Sequence, residues 1–236
     1  MDYIHFENIE STNNYAKTIS NKKEWTVIYA DIQNGGRGRN GKSWVSSKGG
    51  AWFTIIIGDN QIKIDDYGKI PLLIGAAVRD YLSFKTSKNF TIKWPNDIYY
   101  EDKKCSGILI EKIENYFIAG IGININNKIG EKGTENGIVL KEICSIEYDV
   151  IEIIKGVAEN IKYYFEKIKL GKWQEIYVEI SGNDYLFGKD IIIFESLSEK
   201  KAVANGISYD GRLKIKNQKG MEEEILSGDI SVKINK

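Results

Sequence analysis

Three cations sit among three glycines in Gly36-Arg37-Gly38-Arg39-Asn40-Gly41-Lys42-Ser43, a mixture suited to capturing a small anion. Glycine frees the backbone to adopt φ > 0 so that N–H groups converge, and the guanidinium forks of Arg37 and Arg39 match phosphate or carboxylate. The stretch also fits two nucleotide-binding formulas. Gly36, Gly41, Lys42 and Ser43 satisfy the Walker A loop, while Gly36, Gly38 and Gly41 satisfy the GxGxxG fingerprint. Both formulas require a strand before the loop and a helix after it. Trp25 to Asp31 reads as the strand, but Trp44 to Gly50 lacks helical spacing and leads into a second strand-like run, Ala51 to Ile57. Strand, glycine-rich loop and strand predict a flap, not a βαβ unit. A basic surface loop and a nucleic-acid contact are the other readings. Against the polyanion, 33 basic and 33 acidic residues cancel, so the positive charge is local.

A second cluster runs Lys93-Trp94-Pro95-Asn96-Asp97 and continues to Lys104-Cys105-Ser106-Gly107. Pro95 pushes Trp94 out of helical geometry, so the segment predicts a bend that aims Asn96 and Asp97 from a strand end, or else a plain turn. Lys104 opens a run, Ile108-Leu109-Ile110, that reads as buried, which makes it a candidate partly desolvated cation. Gly107, Gly120 and Gly122 mark strands that a ligand approaches closely. Asn124 ends the last of these strands, as an amide for the ligand or as a turn residue.

These groups need a scaffold. With 236 residues, 42% of them hydrophobic, the chain has material for one sizeable domain and one small one. No apolar run approaches the roughly 20 residues of a membrane span, and the N-terminus lacks a signal-peptide pattern, which predicts a cytoplasmic protein. Cys105 and Cys144 lack CxxC spacing, and the single histidine, His5, excludes multi-histidine metal sites; we read His5 as an ordinary strand residue and expect no protein metal ligands. Tyr3 to Phe6 predicts a strand, and Ser11 or Thr12 caps a helix through about Asn21. Pro71 opens a helix over 72–81. Strands over 90–93, 97–100, 104–112 and 116–124 follow, joined too tightly for parallel crossovers. Two amphipathic helices come next, one carrying Val150 to Ile168 and one Trp173 to Ile180. From about Gly188 the texture turns to short strands over 190–194, 202–208, 212–216 and 230–234, predicting a small β-barrel.

In order along the chain, Ser11-Thr12-Asn13, Gln33 with Gly36 to Lys42 and Trp44, Lys93 to Asp97, Lys104 with Gly107, and Gly122-Ile123-Asn124 resemble the motifs of the biotin protein ligases. Leu226-Ser227-Gly228-Asp229-Ile230-Ser231 resembles the end of that family's C-terminal barrel. The resemblance implies an α+β fold: an antiparallel or mixed sheet flanked by helices, of class II synthetase type, over residues 1–187, and an SH3-like barrel over 188–236. It implies that ATP and biotin form biotinyl-5′-adenylate and pyrophosphate, with Mg²⁺ on the triphosphate. A lysine of a biotin carboxyl carrier domain, of acetyl-CoA carboxylase or another biotin-dependent enzyme, then attacks the anhydride. In that reading Ser11, Thr12, Asn13, Gln33, Gly36, Arg37 and Gly107 bind biotin. Arg39, Lys42, Trp44, Lys104 and Asn124 bind the nucleotide, and Arg37, Arg39, Lys104 and Asp97 serve the chemistry. Asp97 either orients a metal water or accepts a proton from the incoming lysine, or only caps the bend. Lys42 and Ser43 stand where the family usually has arginine and a variable residue, which weakens phosphate contact there. The motifs begin at Ser11, so we expect a short form with no preceding DNA-binding domain and no DNA partner. A homodimer is compatible with the family. The rival readings are a lipoate ligase of the same fold and a nucleic-acid-binding module.

Overall fold

The computed structural model describes residues 1–60, 62–130, 134–195, 198–227 and 230–235. Gly228 and Asp229 of the C-terminal motif lie outside the described residues.

The chain runs β1 (Asp2–Ile9), α1 (Thr12–Thr18), β2 (Thr26–Gln33), β3 (Ala51–Gly58), a 3-10 helix (Ile64–Lys69) and α2 (Ile70–Thr86). Then come β4 (Phe90–Lys93), β5 (Asp97–Tyr100), β6 (Lys103–Ile113), β7 (Tyr116–Ile123), α3 (Leu140–Cys144), α4 (Val150–Lys169) and α5 (Trp173–Gly182). The C-terminal strands are β8 (Asp190–Glu195), β9 (Ser198–Ile207), β10 (Leu213–Asn217), β11 (Glu222–Ile225) and β12 (Ile230–Ile234).

The first seven strands form one mixed sheet in the order β1-β2-β3-β7-β6-β5-β4. Only β1 and β2 pair in parallel, and α1 lies in the crossover that such a pair requires. The remaining neighbours are antiparallel, and the turns joining β5 to β6 and β6 to β7 use the left-handed residues Glu101 and Glu114. One sheet face is buried under α2, α4 and α5, where Val157, Ile161 and Phe165 meet Leu73, Val78 and Phe53 in a single core. On the other face α1 covers β3 and β7 through a small cluster of Ala16, Ile28, Ile56 and Ile118. The rest of that second face is left for the site. The last five strands form an antiparallel sheet in the order β11-β10-β9-β8-β12.

Several boundaries differ from expectation for local reasons. The helix α1 stops at Thr18 rather than near Asn21, because Ile19 is extended and Lys22 Nζ donates to the carbonyls of Lys17 and Ile19. β11 escapes sequence reading because Glu222-Glu223-Glu224 has no apolar alternation; in the sheet Glu222 and Glu224 stand opposite Lys216 and Lys214 of β10, and Glu223 forms an ion pair with Lys200 of β9. Of the run expected to be buried after Lys104, only Ile108 is; Leu109 and Ile110 are half-buried.

Candidate active site

Strand register builds the floor of the site. Trp52 of β3 pairs with Gly122 of β7, Gly122 with Gly107 of β6, Gly107 with Asp97 of β5, and Asp97 with Lys93 of β4. Residues matched across a sheet point to the same face, so motifs up to 70 residues apart in sequence form one row. The next row is Thr54, Gly120 and Leu109. Lys104 has the wrong parity to join Gly107 on this face. A bulge corrects it: Ile98 pairs with Ser106 but Tyr99 with Lys104, so Cys105 is the extra residue and Lys104 is turned onto the site face.

Over this floor lies the flap, and it is a hairpin. Gly38 N donates to Lys42 O (2.7 Å) and Trp44 N to Gly36 O (2.8 Å), with Asn40 and Gly41 at the tip, both at positive φ (54° and 70°). Asn-Gly is the pair a two-residue hairpin turn selects, a signal legible in the sequence itself. Trp44 folds back onto the two floor glycines. A Cβ on Gly122 would fall 2.6 Å from Trp44 Nε1, and one on Gly107 would fall 2.9 Å from the same ring and 3.1 Å from Lys104 Nζ. The glycines are therefore required for space. The Trp44 Nε1 proton is buried without an acceptor, and the ring meets Trp52 edge-on at 6.3 Å.

Hairpin and floor enclose a cleft of about 480 Å³. Six cationic side chains line it (Arg37, Arg39, Lys42, Lys93, Lys104, Lys233) against two carboxylates, Asp97 and Glu135. In a chain of zero net charge, this imbalance selects an anion carrying several charges. Lys104 Nζ lies 2.7 Å from Asp97 Oδ1, an ion pair off the hydrogen-bond direction, and 4.9 Å from the Trp44 ring centre. Lys93 Nζ donates to Tyr99 Oη (3.2 Å). Burial holds the Lys93 pKa below the ordinary lysine range, and the charges of Lys104, Lys42 and Lys189 add to that against the opposing pull of Asp97.

The two ends of the cleft differ. At one, Gln33 Oε1 accepts from Thr12 N (2.8 Å) and Thr12 Oγ1 (3.0 Å), Gln33 Nε2 donates to Ser46 Oγ (3.0 Å), and Thr54 Oγ1 sits 2.8 Å from Thr12 Oγ1 and 2.5 Å from Asn13 Oδ1. Ser11 caps α1 there by accepting from Asn14 N. At the other end Asn124 is buried, with Nδ2 donating to Lys104 O (3.5 Å) and Oδ1 accepting from Asn127 Nδ2 (3.3 Å). Val232 and Lys233 of β12 also line the cleft, a contribution of the C-terminal sheet that no sequence motif signalled.

Every residue expected at the site except Gly36 lines this one cleft, and Gly36 forms the hairpin's base. The two arginines diverge. Arg39 crosses the cleft, donating from Nη1 to Asn96 Oδ1 (3.3 Å) and from Nη2 to the Ser227 carbonyl. Arg37 turns to the rim, where Nη2 donates to Glu111 (2.9 and 3.1 Å). Thr54, Tyr99 and Glu111 were missed. Thr54 had a signal, a hydroxyl inside the otherwise apolar run Trp52 to Ile57; Glu111 had none. From β1, His5 stacks on Tyr29 and pairs with Asp31 of β2, and none of the three lines the cleft. Among the described residues no group of three or more His, Cys, Asp or Glu could hold a metal, and no helix is long and apolar enough to cross a membrane.

Residues 5–127 match the model of the biotin/lipoate A/B protein ligase family. The chain is 31% identical over 173 residues to the bifunctional ligase/repressor BirA of Bacillus spizizenii, an alignment covering 70% of this chain and 52% of the relative. It is 23% identical over 239 residues to the bifunctional ligase/repressor BirA of Escherichia coli, covering 95% and 72%. It thus spans about half the length of the first of these relatives. Among solved structures it superposes on the biotin protein ligase from Aquifex aeolicus in complex with biotin and ATP with a TM-score of 0.91, at 29% identity over 99% of both chains.

Proposed function

Because the chain belongs to the biotin/lipoate A/B protein ligase family, we propose that it is a biotin protein ligase, activating biotin with ATP and passing the biotinyl group to a lysine of a carrier domain. The observation that carries this reading is the single cleft in which a hydrogen-bonding end and a strongly cationic end meet under one hairpin. Joining a carboxylate to an α-phosphate brings two anions together, so fixed cations must offset their repulsion. The carboxylate oxygen attacks the α-phosphorus, pyrophosphate departs, and the acyl-adenylate remains. Lys104, held by Asp97, faces the reacting centre; Arg39, Lys42 and Lys93 meet the phosphates, with Trp44 and Asn124 beside the nucleotide. Asp97 thereby acts as the counter-charge that positions Lys104.

Ser11, Thr12, Asn13 and Gln33, with Gly36 and Gly107 beside them, take the substrate's head. This end favours biotin over lipoate: a dense array of hydroxyls and amides offers hydrogen bonds that a polar ureido ring can use and an apolar dithiolane cannot. Asp97 is committed to Lys104, and among the described residues no acidic cage surrounds it, which fits Mg²⁺ arriving on the triphosphate rather than resident in the protein. In the second half-reaction the carrier's amine attacks the acyl carbonyl, AMP leaves, and the amine loses a proton. The closed hairpin excludes water meanwhile. The same proposal assigns the chemistry to residues 1–187, treats 188–236 as a separate barrel domain, places the protein in the cytoplasm, and names the carrier of acetyl-CoA carboxylase or a similar enzyme as partner.

ATP–pyrophosphate exchange measured with biotin, with lipoate and with neither tests it. Exchange driven by biotin is expected. Exchange driven by lipoate alone transfers the protein to the other branch of the family, and none with either sinks the ligase reading.

A further inference from the structure

Glu111 is a strand carboxylate to which no role has been given. It stands on β6 two residues beyond Leu109, on the face that carries Gly107, but outside the cleft lining. Three side chains from two other elements converge on it. Arg37 Nη2 donates to Oε2 and Oε1 (2.9 and 3.1 Å), Lys17 Nζ to Oε1 (2.5 Å) and Asn13 Nδ2 to Oε2 (3.1 Å). The carboxylate is 25% exposed, the Arg37 side chain 41%. Burial raises the Glu111 pKa, but the hydrogen bonds from Lys17 and Asn13 and the charges of Lys17 and Arg37 outweigh it and hold the group below its ordinary range.

We propose that Glu111 is a positioning residue: through Arg37 it pins the base of the hairpin to the sheet and so sets how long the cleft stays closed over an acyl-adenylate. Arg39 ties the tip to Asn96 and Ser227 on the opposite side, so the hairpin straddles the cleft with one arginine anchored at each end. Removing the Glu111 charge does more than delete an attraction. Lys17 and Arg37 are then left facing each other as like charges, which pushes the flap outward. The catalytic consequence rests on the ligase reading; the closure itself does not.

Hydrogen exchange at the hairpin amides of Gly38, Lys42 and Trp44 tests the pin directly. In Glu111→Gln, which retains a carbonyl for Asn13, exchange there should be about fivefold faster than in the wild type, with the β6–β7 ladder unchanged. Lys17→Met removes the other cation without touching the flap, and the hairpin should exchange as in the wild type. Unchanged hairpin exchange in Glu111→Gln, or equal loosening in Lys17→Met, overturns the assignment. Release of biotinyl-adenylate from Glu111→Gln should quicken by a similar factor. A loosened hairpin in a protein whose wild type makes no adenylate would leave the pin standing and remove the ligase reading. Adenylate that forms and is retained as well as in the wild type would remove the pin's role in retention.

Discussion

The floor and the hairpin of this cleft are built on opposite principles. Trp52, Gly122, Gly107, Asp97 and Lys93 are fixed by four consecutive strand pairings within a sheet whose reverse face is buried under helices. The hairpin has three internal backbone bonds, from Gly38 N to Lys42 O, Lys42 N to Arg39 O and Trp44 N to Gly36 O, a polar exposed tip, and side-chain anchors at either end. Moving a floor group costs ladder bonds and core packing, whereas moving the hairpin costs a few charge-assisted bonds. On the proposed ligase reading, the rigid half would set the geometry of the reaction, and the loose half the residence of what the reaction makes.

The largest expected effect comes from the floor. Lys104→Met removes the cation that the bulge turns into the site and leaves Asp97, a partly buried carboxylate, without its ion-pair partner. Adenylation should fall by about 10²- to 10³-fold, with biotin affinity much less affected. An effect below tenfold, measured by pyrophosphate exchange, would mean that the geometry of the reacting centre does not depend on this row. Gly122→Ala should come next. Its new Cβ lands 2.6 Å from Trp44 Nε1, so the indole must lift and carry the hairpin with it. Overpacking of this kind costs about 1–3 kcal/mol, or roughly five- to 150-fold. This floor substitution should show the hairpin's phenotype, slower formation together with faster release. Slower formation with unchanged release would show that Trp44 adjusts without moving the flap.

This coupling also explains what the sequence disclosed. The four-strand meander β4 to β7, the long helices and the bend at Pro95 were legible because each has a local cause: period, cap or ring geometry. The glycines were legible as sites of close approach, but not what approaches them, because Trp44 arrives from 63 and 78 residues away by the positions of Gly107 and Gly122. Lys104 illustrates the limit most clearly. Strict alternation assigns it to the face opposite Gly107, and only the extra residue Cys105, set by pairing with β5, reverses that. Glu111 carried no signal because its meaning depends on α1 and the hairpin meeting at one strand position. Long-range register, rather than composition, decides such cases.

A smaller effect is expected from the hairpin's tip. Arg39→Gly deletes the bonds to Asn96 and Ser227 and adds backbone freedom beside Asn40. The floor is untouched, so adenylate should still form, while its release should rise by roughly tenfold. Biotin would then reach lysines of bystander proteins, read by labelling an unrelated protein in the same tube. Labelling confined to the carrier domain, with unchanged release, would place retention elsewhere than the tip.

The mildest way to separate the two halves is pH, because they carry their sensitive charges on opposite limbs. The Glu111 pKa is lowered in the fold, so the pin's contribution is full above the ordinary carboxylate range and is lost only as pH falls through the lowered value. Release should therefore stay flat as pH drops from about 7 to about 5. The Lys93 pKa is also lowered, by burial first, but a lysine needs its proton to be charged. Its positive charge is lost as pH rises through the lowered value, earlier than a free lysine would lose it. Adenylation should accordingly decline on the alkaline side while release does not change. Lys93→Met supplies the control, since it should lower the rate near neutrality and abolish the alkaline decline. If that decline survives the substitution, the titrating cation of the floor is not Lys93. If release instead follows the same alkaline limb, floor and hairpin are one electrostatic unit rather than two.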